Sequence, residues 1–120
     1  MEQRKFDSIE ERIDFIEFRQ QLLFENDNLS RLLFEYQITE NEYRRIMDYM
    51  DSLRNKIDNG EKVNSSVFEE EIYKIVPSHF GDYYFCEYIA RAFWESGRWE
   101  EVFPTLYKDS PKYRYLFSGE

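Results

Sequence analysis

The sequence predicts an all-α fold, a single compact bundle of five or six helices with an aromatic C-terminal tail, and three observations predict it. Apolar residues recur at alternating steps of three and four. Ser8/Glu11, Thr39/Glu42 and Ser66/Glu69 each have the spacing of a reciprocal helix cap, in which a hydroxyl accepts from one orphan amide and the glutamate reaches back to another. Breakers at Asn26-Asp27-Asn28, Gly60, Pro77 and Gly97 separate the periodic runs. A chain of 120 residues fits one domain and buries roughly two thirds of its unfolded surface without metal or disulfide. The expected layout is a helical domain over residues 1–107 and a tail over 108–120.

The first helix is expected from Ser8 to about Phe24, and its apolar pattern is double. Phe6, Ile9, Ile13, Ile16 and Leu23 form one seam, interrupted only by Gln20; Phe15, Phe18 and Leu22 form a second, about 100° away. So wide an apolar arc needs cover from two directions, and in a small domain the second cover is expected from another subunit, over Phe15, Phe18 and Leu22. Asn28 is expected to cap a short helix carrying Leu29, Leu32, Leu33 and Tyr36. The central helix follows from Thr39 to Gly60, with Tyr43, Ile46, Met50, Leu53 and Ile57 as its seam. Its other face holds Arg44, Arg45, Asp48, Asp51 and Arg54 at spacings that let opposite charges pair. Ser66 opens a helix with Val67, Phe68, Ile72, Ile75 and Val76 inward, stopped by Pro77. Asp82 caps the next, with Phe85, Cys86, Ile89, Ala92 and Phe93 toward the core and Gly97 ending it. Trp99, Val102, Phe103 and Leu106 mark a last helix that Pro104 kinks or shortens. In the tail, Tyr113, Tyr115 and Phe117 alternate with Arg114 and Leu116, and this segment is expected to dock on the domain or on a neighbour.

Composition narrows the function classes. A net charge of −9 argues against direct nucleic-acid binding and against an anionic membrane surface, both of which need a basic patch. The longest apolar run, Tyr83 to Cys86, is far short of a membrane span, and Met1 to Lys5 leads into an acidic helix rather than a secretory leader. One cysteine makes no internal disulfide, so a cytoplasmic protein is expected. Aromatics at 19%, ten of them tyrosines, exceed what a small core requires and suit half-wet interfaces.

Residues able to carry chemistry do not assemble into a pattern. His79 is the sole histidine and has no ligand spacing around it, so no metal and no cofactor are expected. Ser78, His79 and Asp82 are triad residue types, but as neighbours in a turn they read as a turn. Cys86 lies on an apolar face with no cation placed to stabilise a thiolate. Glu10, Asp14 and Glu17 share a stripe that reads as a solvated face, and Glu69 to Glu71 complement a helix dipole. No glycine-rich phosphate loop is present. Ala90 to Phe103 resembles one tetratricopeptide hairpin, yet no second copy follows and it reads as a plain helical hairpin.

Glu11 to Leu23 (ERIDFIEFRQQLL), Ile38 to Met50 (ITENEYRRIMDYM), Val67-Phe68 and Ala92 to Phe103 (AFWESGRWEEVF) together resemble the YhaI-like family of small Bacillus proteins. The resemblance implies a domain of unknown function and brings no catalytic residues with it. The expected function is a non-catalytic protein-interaction module, a small bacterial or phage regulator or adaptor that binds itself, another protein, or both. Its interface residues are expected to be Phe15, Phe18, Leu22, Tyr113, Tyr115 and Phe117. The alternative is an acidic inhibitor that mimics nucleic acid through stripes such as Glu10, Asp14, Glu17 and Glu69 to Glu71, presented to the basic groove of a DNA- or RNA-binding protein; Arg12, Arg19, Arg44, Arg45 and Arg54 break that field into pairs.

Overall fold

The computed structural model describes residues 4–117, the side chain of Phe117 excepted. Among these residues every regular element is helical: α1 (Ile9–Glu25), α2 (Asn28–Glu35), α3 (Glu40–Asp58), α4 (Ser65–Ile75), a single 3-10 turn at Pro77–His79, α5 (Tyr83–Glu95), α6 (Val102–Tyr107) and α7 (Arg114–Phe117). Seven α-helices thus stand where five or six were expected, the addition being the one turn formed within the tail.

Local chemistry sets the boundaries. Ser8 Oγ accepts from the Glu11 amide at 3.1 Å and starts α1. The reciprocal cap of α3 is complete: Thr39 Oγ1 accepts from the Glu42 amide at 3.1 Å, and Glu42 Oε1 accepts from the Thr39 amide at 3.0 Å. Two expected caps lie elsewhere. Asp27 rather than Asn28 caps α2, accepting from the Ser30 amide at 2.7 Å, and Asn64 rather than Ser66 caps α4, accepting from the Val67 amide at 2.9 Å. These residue types cap about equally well, so spacing alone does not choose between neighbours. Gly60 leaves α3 at φ +77°, the left-handed conformation expected of it. Pro104 sits at the third position of a six-residue α6, where its missing amide proton breaks no intrahelical bond.

The seam of α3 is the centre of the core: Ile46 and Met50 are fully buried and Leu53 nearly so. Phe68, Ile72 and Val76, then Phe85, Cys86, Ile89 and Phe93, then Val102 and Phe103 complete it. Val67, expected inward, is exposed, because the α4 face that meets the core is centred on Phe68 and Ile72.

Three polar links from remote segments tie down the outer face of α3. Arg4 donates to both carboxylate oxygens of Glu42, at 2.9 and 3.1 Å. The buried Trp99 donates its indole N–H to Asp51 Oδ1 at 2.8 Å. Arg54 donates to both carboxylate oxygens of Glu101, at 2.9 to 3.1 Å, and this contact holds the Glu101 carboxyl below the usual range. Trp99 itself lies at φ +49°, an unfavourable backbone for a bulky residue that its burial and its hydrogen bond offset. The sequence placed Asp51 and Arg54 among intrahelical pairs; the structure spends both on the turn between α5 and α6.

At α1 the expectation is reversed. Phe18 and Leu22 are buried, Phe18 facing Tyr43 with ring centres 6.1 Å apart, and Phe15 is half-buried against Phe6 at 5.0 Å. The face assigned to another subunit is therefore covered by this chain, because α2 and α3 both pack on that side. Ile9, Ile13, Ile16 and Leu23, expected in the core, are exposed.

Removing the carboxylate of Asp51 leaves a buried indole N–H without a partner. Asp51→Ala is expected to cost about 1–3 kcal/mol in urea unfolding. Asp48→Ala, one helical step away and exposed, is expected to stay within about 0.5 kcal/mol. Equal effects would contradict the assigned role of the indole bond.

Candidate interaction surface

The residues able to carry chemistry are used structurally. Cys86 is fully buried and its thiol is pushed up to about 12, chiefly by burial. His79 Nε2 lies 2.7 Å from the Tyr36 carbonyl oxygen, and its ring packs on Tyr36 and Phe85 at 5.1 and 5.0 Å. Asp82 spends its carboxylate accepting from the Phe85 amide as the cap of α5, so Ser78, His79 and Asp82 form no relay. Among the described residues no three His, Cys, Asp or Glu side chains are grouped to hold a metal ion.

Among the described residues, the outer face of α1 gathers the largest group of exposed aliphatic side chains. Ile9 is 71% exposed, Leu23 59%, and Ile13 and Ile16 48% each, with Phe24 beside them at 90%. The four aliphatic residues recur at steps of four, three and seven, which stacks them along one side of a helix roughly 25 Å long. At 100° per residue, Ile16 and Phe18 stand about 160° apart around the axis, so the open row is nearly opposite the buried one rather than about 100° from it as expected. A groove of about 450 Å³ runs alongside it, lined by Arg12, Phe15, Ile16, Arg19 and Phe34 among others. The Arg19 guanidinium stacks 3.6 Å from the Phe34 ring centre and donates to the Phe34 carbonyl at 2.8 Å, which fixes that wall. One signal in the sequence distinguished the two rows: Gln20 interrupts the open one, whereas Phe15, Phe18 and Leu22 have no polar member between them.

The tail is held by a second arrangement. Lys112 Nζ pairs with Glu87 at 3.0 Å and sits 4.5 Å above the Tyr84 ring and 5.3 Å from that of Tyr113. Tyr113, expected at an interface, is buried against Phe103 and Tyr107, at 5.1 and 6.1 Å. It is an internal anchor, because the aromatic floor of α6 offers it more contact than solvent does. Tyr115 is 65% exposed, and the side chain of Phe117 lies outside the described residues. Exposed Tyr83, Tyr84 and Tyr88, with ring centres 4.3 and 6.2 Å apart in turn, continue an aromatic patch from the Lys112 contact.

Burial of tyrosine hydroxyls gives the fold an alkaline limit. Burial is the main cause that pushes Tyr49 and Tyr113 up to about 12 from an ordinary 10.0, and it raises Tyr73 and Tyr107 as well. The neutral phenol is favoured in the folded chain, so its contribution is complete below pH 10 and declines as pH rises from 10 towards 12. Phenolate absorbance is expected to rise cooperatively with loss of helical circular dichroism in that interval. Among the described residues the Tyr113 hydroxyl makes no hydrogen bond of good geometry, although Glu87 and Lys112 lie close enough to act on it, so Tyr113→Phe is expected to leave neutral-pH stability unchanged or slightly raised and to shift the alkaline transition upward. Non-cooperative titration centred at pH 10 with helicity intact would contradict this.

Comparison with known proteins returns no matching family model, no matching curated protein and no matching solved structure.

Proposed function

We propose that this chain is a non-catalytic protein-interaction module, of the adaptor or regulator kind, that presents the outer face of α1 to a folded partner. The observation that carries the reading is the row Ile9, Ile13, Ile16 and Leu23, all exposed on one helix while the bundle behind them is complete. Burying a side chain of this size contributes about 1.5–3 kcal/mol, so a row left in water is a standing gain for whatever covers it.

The acidic-mimic alternative loses support from the charge arrangement. Glu42, Glu87 and Glu101 are each paired with Arg or Lys at 2.9 to 3.0 Å, and Glu40, Glu71 and Glu95 have cationic neighbours on their own helices. On α1, Glu10, Asp14 and Glu17 make no ion pair among the described residues but alternate with Arg12 and Arg19, so this field too is a poor copy of a phosphate backbone. No described helix is long and apolar enough to cross a membrane.

The reading is tested by replacing Ile13 and Ile16 together with Glu. Both are exposed, so helicity and unfolding midpoint are expected to change little. Immobilised wild-type protein is expected to retain its partner at about 0.5 M salt, where screening length falls to roughly 4 Å, and the double variant to lose it. Retention by the variant, or release of the wild-type partner by salt alone, would overturn the assignment.

A further inference from the structure

Taking the outer face of α1 as the binding surface, we propose that the partner it fits is a second copy of this chain, with the two α1 helices parallel and in register. The row has coiled-coil spacing. Ile9, Ile16 and Leu23 fall on d positions and Ile13 and Gln20 on a, while Phe15, Phe18 and Leu22, on c and f, point into the domain's own core. The bundle therefore stands behind each helix and leaves the a/d seam clear for a symmetric partner.

Three features choose the parallel arrangement. The first is charge. Flanking the seam, Glu10 and Glu17 occupy e, and Arg12 and Arg19 occupy g. In a parallel pair each g residue faces the e residue five positions on in the other helix, so Arg12 meets Glu17 twice across the axis. An antiparallel pair opposes e to e and g to g, acid against acid and arginine against arginine. Arg12 and Glu17 take part in no ion pair among the described residues, which leaves both available.

The second feature is Gln20. As a polar residue at a single a position, it meets its own copy in the parallel register, where two amides can bond each other. Antiparallel packing sets it against an isoleucine and leaves the amide unpaired. The third is Phe24. It is the most exposed large apolar residue among those described, and its e position faces Arg19 of the other copy across the seam. There it would cover the groove whose wall is the Arg19–Phe34 stack.

The seam spans fewer than three heptads and covers on the order of 600 Å² per copy, the low end for a specific interface, so the dimer is expected to be reversible with a Kd on the order of micromolar. Cysteine cross-linking reads its direction. Cys86 is fully buried, so an introduced thiol reports alone. Under mild oxidation Ile9→Cys and Leu23→Cys are each expected to form a self-disulfide, because in register each residue adjoins its own copy. An antiparallel pair, which opposes a to d, instead cross-links a mixture of Ile9→Cys with Gln20→Cys and neither Ile9→Cys nor Leu23→Cys alone. In sedimentation, Arg12→Glu and Glu17→Arg are each expected to raise Kd about threefold to tenfold and the double swap to restore it, because both changes in one chain recreate the pair. Wild-type protein that remains monomeric at about 200 µM would overturn the dimer; the surface reading would still stand if Ile13→Glu/Ile16→Glu abolished capture of a different protein. Strengthening by either single charge reversal, or cross-linking only in the mixture, would overturn the parallel arrangement.

Discussion

Burial of the α3 seam is the constraint from which the rest of the architecture follows. Ile46, Met50 and Leu53 lie on a helix with a complete reciprocal cap, so α3 is well specified locally before anything packs on it. Helices of this length nonetheless draw most of their stability from packing of one face. That face is supplied by α4, α5 and α6, while its ends and outer side are fixed by Glu42 to Arg4, Asp51 to Trp99 and Arg54 to Glu101. Each link joins segments at least 38 residues apart, so α3 acts as the post to which the segment before α1 and the α5–α6 turn are tied.

The position of α1 at the edge of this arrangement explains its two apolar rows. Only one side of an edge helix meets its own domain, and here that side takes the aromatic row, Phe15 and Phe18 with Leu22. Tyr43 and Arg19 make the choice sensible in physical terms. Phe18 faces the Tyr43 ring, and Arg19, one residue on, stacks on Phe34 and bonds its carbonyl, so that rotation about the helix axis would break several contacts together. The aliphatic row is then committed to solvent or to another surface.

The aromatic excess divides between two uses. Phe68, Phe85, Phe93, Phe103 and Tyr113 fill the interior, and the last of these brings the C-terminal segment back onto α6. Tyr84 and Tyr88 stay at the surface, where Lys112 lies over their rings while pairing with Glu87. A buried carboxylate such as Glu87 needs a cation, and the tail supplies one, which couples the fold of the tail to the charge balance of α5.

By itself the sequence determined the helical class, the start and seam of α3, the stops at Gly60 and Pro77, and the burial of Phe68, Ile72, Phe85, Cys86 and Phe93, because these depend on periodicity and on bonds within a few residues. It also determined the cap at Asp82, whereas the partner of His79, the Tyr36 carbonyl 43 residues away, came from the fold. The candidate surface was legible as a pair of rows with helical spacing, told apart only by Gln20 in the open one. Which row faces inward was decided by tertiary structure, because burial depends on where α2 and α3 arrive and spacing along one helix carries no information about its neighbours. The same reason governs Asp51, Arg54 and Tyr113: their partners, Trp99, Glu101 and the rings of Phe103 and Tyr107, are brought to them by the fold rather than by sequence proximity.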